Sequence, residues 1–133
     1  MRSRRKPGTP QPTAAELEIL RVLWQRGAST VRQVQEALER RRETGYTTVL
    51  KLLQIMGEKG LVRRDERERA HVYRARAPRE RTEKQLVGDL LERAFGGEAS
   101  RLVMRALSAK KASREELERV RRFLNELEGG GRP

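Results

Sequence analysis

Cysteine is absent from this sequence, which excludes any disulfide, thiolate metal site or cysteine nucleophile. Aromatic residues make up only 4%, and no strand pairs them as a platform for stacking single-stranded bases. There is one histidine and no glycine-rich phosphate loop. The carboxylates sit on helix exteriors beside Arg and Lys, as solvated ion pairs do. No enzyme, cofactor or metal site is therefore expected. Long apolar runs are missing too: nothing approaches the ~18 residues of a membrane span, and the N-terminus has no apolar signal core. The expectation is a cytoplasmic protein without a membrane partner. Acidic charge is the last shortage. Thirty-one Lys and Arg face 19 Asp and Glu, a net charge of +12. That balance favours a polyanionic partner, nucleic acid ahead of an anionic membrane surface.

What is present is modest in apolar content. In 133 residues, 35% are hydrophobic and 38% charged, so any core is thin for the length. A small globule plus a segment that completes its core in an oligomer fits that composition. Residues 1–12 hold Arg2, Arg4, Arg5 and Lys6 among three prolines and read as a disordered basic tail, either solubilising or adding phosphate contacts.

Two helices follow. Thr13-Ala14-Ala15-Glu16 is a capping box, opening a helix with Leu17, Leu20, Leu23 and Trp24 on one stripe and Gly27 as its stop. Trp24 continues the stripe and reads as core. Thr30-Val31-Arg32-Gln33 is a second box, followed by Val31, Val34 and Leu38 at helical spacing.

The stretch from Thr44 to Tyr73 organises the rest. Gly45 is placed in a turn, free to take positive φ. A helix over about 46–58 then turns Val49, Leu52, Leu53 and Met56 inward. Its other side shows Thr47, Thr48, Lys51 and Gln54, with no acid before Glu58. Hydroxyls and amides can bond to base edges, a Thr methyl can meet a thymine methyl, and Lys can reach phosphate or guanine. Gly60 ends the helix. Residues 61–64 and 71–74 read as two strands around a charged turn, with Arg63, Arg64, Arg67 and Arg69 interleaved with three acids, so the local charge is modest. A helix followed by a basic hairpin is how a winged helix-turn-helix domain meets DNA. His71 reads as a residue of the wing strand.

Beyond Pro78 a helix from Arg79 to about Phe95 carries Leu86, Val87, Leu90, Leu91, Ala94 and Phe95 inward. A second carries Leu102, Val103, Ala106 and Leu107. A third, opened by a capping box at Ser113, spaces Leu117, Val120, Leu124 and Leu127 by 3, 4 and 3, the rhythm of a helix-packing seam. Gly129 is read as its end. These helices are too short and one-sided for a separate monomeric core, and pairing with a second copy is the reading preferred over a simple helical extension. The fold class is mainly α: a winged helix-turn-helix domain over 13–78 with a small β-hairpin wing, a helical dimerisation domain over 79–128, and a flexible tail over 129–133.

The sequence resembles the penicillinase-repressor family of bacterial transcription factors (the BlaI/MecI/CopY type). The resemblance rests on Tyr46-Thr47-Thr48-Val49, Glu58-Lys59-Gly60-Leu61-Val62, Arg69-Ala70-His71-Val72-Tyr73, and Phe95-Gly96-Gly97 followed by Leu102-Val103. It covers about 13–128 and implies a homodimer that binds double-stranded DNA at an inverted-repeat operator and represses downstream genes. It implies that 46–58 is the recognition helix. The candidate DNA-binding residues are Tyr46, Thr47, Thr48, Lys51, Gln54, Arg67 and Arg69. The candidate dimerisation residues are Leu86, Leu90, Leu91, Leu102, Val103, Leu117, Val120 and Leu124. Three departures stand out. The Asn-Phe bond cut in the penicillinase repressors aligns with Arg105-Ala106, the cysteine cluster of the copper-responsive branch has no counterpart, and Glu68 stands where the family often has a wing-tip Gly. An RNA-binding or ribosome-associated basic protein is the alternative; duplex DNA against structured RNA in a gel shift separates the two.

Overall fold

The computed structural model describes residues 11–41, 43–67 and 69–130. Most of the basic tail, Glu68 at the wing tip and the last three residues lie outside that description. The elements run α1 (Ala14–Arg26), β1 (Ser29–Thr30), α2 (Val31–Glu39), α3 (Tyr46–Lys59), β2 (Val62–Asp65), β3 (Val72–Ala75), α4 (Arg79–Phe95), α5 (Ala99–Ala109) and α6 (Arg114–Gly130). The fold is mainly helical with one small antiparallel sheet, as the sequence implies. Two compact units divide between Leu86 and Val87, within α4.

Both expected N-terminal capping boxes form in full. Glu16 N donates to Thr13 Oγ1 at 3.2 Å while Thr13 N donates to Glu16 Oε1 at 2.9 Å. Gln33 N donates to Thr30 Oγ1 at 3.1 Å while Thr30 N donates to Gln33 Oε1 at 2.9 Å. Each box satisfies two backbone donors that a helix start leaves open. Replacing Thr30 by Ala is expected to cost about 1 kcal/mol in urea unfolding, with the m-value unchanged. At Ser113 the hydroxyl accepts from Glu116 N at 3.0 Å.

The first unit is built around one core. Ile19, Leu20 and Leu23 of α1, Val31, Val34 and Leu38 of α2, and Val49, Leu53 and Met56 of α3 are buried together. Leu61, Val62 and Tyr73 close it from the sheet side. Leu52 and Trp24 pack against this cluster at partial burial, and Trp24 Nε1 donates to the Ala77 carbonyl at 2.9 Å. The helical stripes read from the sequence are thus the packed faces. Gly60 ends α3 at φ 82°, the left-handed conformation that lets its N–H turn back to the Met56 and Gly57 carbonyls.

Several local expectations are corrected. Gly45 does not take positive φ. At φ −81° and ψ 157° it is extended, because it serves as the N-cap of α3 and that position needs β-region backbone. The strands begin one residue later than expected. A third strand, β1, was not foreseen; it pairs with β3 at Ser29–Tyr73 and Thr30–Val72, giving the order β1-β3-β2. Glycine does not stop α6, which runs to Gly130: Gly weakens a helix by about 1 kcal/mol but still supplies every backbone hydrogen bond.

A buried ion pair joins the start of α1 to the end of α3. Lys59 Nζ lies 2.8 Å and 3.0 Å from the two oxygens of Glu16, a residue only 2% exposed. Burial pushes the Glu16 carboxyl up, but Lys59 and the Thr13 amide together hold it below its ordinary range.

The helices of the second unit show apolar stripes without cover. Val87 and Leu90 of α4 and Val103 and Met104 of α5 are exposed, and so are Phe123, Leu124 and Leu127 of α6, the last at 62%. Leu86, Leu91, Leu102, Leu117 and Val120 are half-buried. None of these side chains is fully buried within one chain. Three short helices with apolar content on one stripe do not enclose it.

Candidate nucleic-acid interface

The interface begins with the outer face of α3. The packing of Val49, Leu53 and Met56 into the core fixes the rotation of the helix. The 3.6-residue period then places Thr47, Thr48, Lys51 and Gln54 outside, and all four are exposed. None of these four side chains has a hydrogen bond or ion pair with another described residue. Tyr46 opens the helix at 42% exposure. Gly45 provides no side-chain cap and the first turn has no acid, so the partial positive charge of this helix start is not offset.

In the wing, neighbouring acids offset part of the arginine charge. Arg67 folds back onto Asp65, its Nε and terminal nitrogen 3.1 Å and 2.9 Å from the two carboxylate oxygens. The side-chain and backbone bonds from Arg67 hold the Asp65 carboxyl far below the usual carboxylate range. Arg64 pairs with Glu66 and is steadied by the Tyr73 hydroxyl. Arg69 is exposed and has no ion pair among the described residues. Ladder register sets Arg63 directly opposite Arg74, two exposed cations on adjacent strands. Like charges so placed repel, and an external anion relieves them.

Between α3, the start of α2 and the wing lies a groove of about 570 Å³. Arg32, Tyr46, Gln54, Arg64, His71 and Tyr73 are among its lining, which includes no carboxylate among the described residues. The groove brings Tyr46 and Gln54 of the expected set beside the base of the wing. Arg67 and Arg69 do not line it. The sequence reading missed Arg32 and Arg74, and it counted Arg63 among the wing arginines without its cross-strand neighbour. Strand register would have been needed to find Arg63 and Arg74 as a pair. Arg32 had a local signal, an arginine in the first turn of the helix before α3.

Of the candidate dimerisation residues, Leu90 on α4, Val103 on α5 and Leu124 on α6 are exposed, and Leu86 and Leu91 on α4, Leu102 on α5 and Leu117 and Val120 on α6 are half-buried. Among the described residues no group of three or more His, Asp or Glu could hold a metal ion, and no helix is long and apolar enough to cross a membrane.

The sequence pattern that defines the penicillinase repressors matches residues 12–126. Two relatives, each named Transcriptional regulator BlaI, come from the CDC 1551/Oshkosh and H37Rv strains of Mycobacterium tuberculosis. Each is 36% identical over 116 residues, covering 86% of this chain and 83% of the relative.

Proposed function

Because the chain belongs to the penicillinase repressor family, we propose that it represses transcription as a homodimer bound to an inverted-repeat operator. It is a DNA-binding transcription regulator and not an enzyme. Residues 13–78 act as the DNA-binding domain and 79–128 as the dimerisation domain. Each α3 enters the major groove of one half-site, where Thr47, Thr48, Lys51 and Gln54 read bases. Tyr46, Arg69 and the other wing cations contribute backbone contacts that add affinity without sequence information. Arg67 joins them only by exchanging its Asp65 partner for phosphate. Twofold symmetry of the dimer accounts for an inverted repeat.

The observation that carries this reading is the outer face of α3. Its four polar side chains are exposed and engaged by no described residue, while the opposite face anchors the core. Such a face is positioned by packing yet left without partners of its own. Replacing Thr47 and Lys51 together by Ala is expected to weaken binding to a duplex selected from genomic fragments by about tenfold per half-site. Dimer content and unfolding free energy should change by less than about 0.5 kcal/mol, because both positions are exposed. Unchanged binding would remove this face from the interface.

A further inference from the structure

The groove beside α3 contains an arginine that the recognition-helix reading does not use. Arg32 projects from the first turn of α2, and its guanidinium carbon lies 5.3 Å from the centroid of the Tyr46 ring. It is exposed and forms no ion pair among the described residues. The other arginine lining the groove, Arg64, is engaged by Glu66 and Tyr73. Within this groove, Arg32 is thus the arginine whose charge no described acid offsets.

A ring under a guanidinium orients it without neutralising it. The cation is drawn to the face of the ring, and its N–H groups remain in the guanidinium plane, available to an acceptor at the edge. That planar fork matches two oxygens of a phosphate. Tyr46 in turn is the first residue of α3, so the stack ties the arginine to the helix that faces the bases. We infer that Arg32, held by Tyr46, clamps a single backbone phosphate of the DNA beside the α3 reading face. This rests on the DNA-binding reading above and deepens it. The contact comes from α2, and it fixes how α3 is seated rather than which bases it prefers.

The test uses the full-length chain, a duplex recovered from genomic fragments by the protein itself, and a scrambled duplex of the same composition. Titrations run between about 50 and 200 mM salt. Arg32→Ala should weaken both duplexes by a similar factor, about tenfold per half-site, and lower the salt slope by about one per protomer. Arg32→Lys keeps the charge but not the planar stack, so it should restore the slope and only part of the affinity. Tyr46→Leu should weaken binding too. The double variant should lose less than the product of the two single losses, because either change removes the same clamp.

A loss confined to the selected duplex would make Arg32 a base reader and overturn the clamp. Losses that multiply in the double variant would overturn the role of Tyr46. If Arg32→Ala binds both duplexes as the wild type does while the Thr47/Lys51 variant weakens, the clamp falls and the α3 reading stands. If the wild-type chain binds neither duplex, both fall. Matching thermal unfolding of the Arg32→Lys chain keeps a folding defect from imitating any of these results.

Discussion

Changing Leu117 and Leu124 together to Asp is expected to leave the chain monomeric in sedimentation velocity and to weaken operator binding by about 10²–10⁴-fold. Both residues lie on the α6 stripe, Leu124 at 51% exposure and Leu117 half-buried within one chain. Burying the remaining surface of a leucine contributes part of the roughly 1.5–3 kcal/mol available to such a side chain. A carboxylate in the same place must be stripped of water or left in it, and either choice opposes pairing. The DNA effect follows from linkage rather than contact. Two half-sites bound by joined domains benefit from a high effective concentration, which separate monomers lack. The core of the first unit shares no residue with this stripe, so its cooperative unfolding should persist in the variant. A double variant that still sediments as a dimer would refute the seam. A wild-type chain that sediments as a monomer would refute the dimer.

The second large effect concerns stability. Lys59→Met is expected to cost about 3 kcal/mol at pH 7, the lower end for breaking a buried pair, because Lys59 itself is a quarter exposed. For a domain of this size that corresponds to a fall in midpoint temperature of at least about 12 °C. The loss arises from the carboxylate left behind. Glu16 remains enclosed, with only Thr13 left to offset its burial. The pH dependence gives a sharper signature. In the wild type the Glu16 carboxyl is held below its ordinary 4.5, so its contribution is present above that value and lost as pH falls through the folded value. Without Lys59 the burial effect is less opposed and the folded value rises. The stability gap between variant and wild type should therefore narrow on acidification. Urea unfolding of both chains at pH 7 and near pH 4 measures it, and a gap that widens in acid would refute this account of the pair.

Much of this architecture could be read from local sequence because its signals span one or two helical turns. The reciprocal bonds at Thr13 and Thr30 need residues only three apart, and the inward face of α3 needs one period of apolar side chains. What escaped depends on distance along the chain or on register. Glu16 looked complete as a capping residue; its lysine is 43 positions away. The strand β1 has two residues and no alternation to detect. In the wing the interleaved acids were legible but not which arginines they hold, and the structure pairs Arg64 with Glu66 and Arg67 with Asp65. In the C-terminal helices the stripes were legible but not what covers them, because an amphipathic pattern states that a face seeks apolar company and not whose.

The connection from α1 to α2 has a consequence for chain length. Gly27 closes α1 at φ 90°, Ser29 bonds back to its carbonyl and pairs with Tyr73, and Thr30 pairs with Val72 while capping α2. Almost every residue of this corner is committed to two elements at once. An added residue could not be looped out without either freeing the sheet edge or moving the cap off the helix. Insertions in this protein therefore have no room at the corner between α1 and α2 and must be accommodated in other connections.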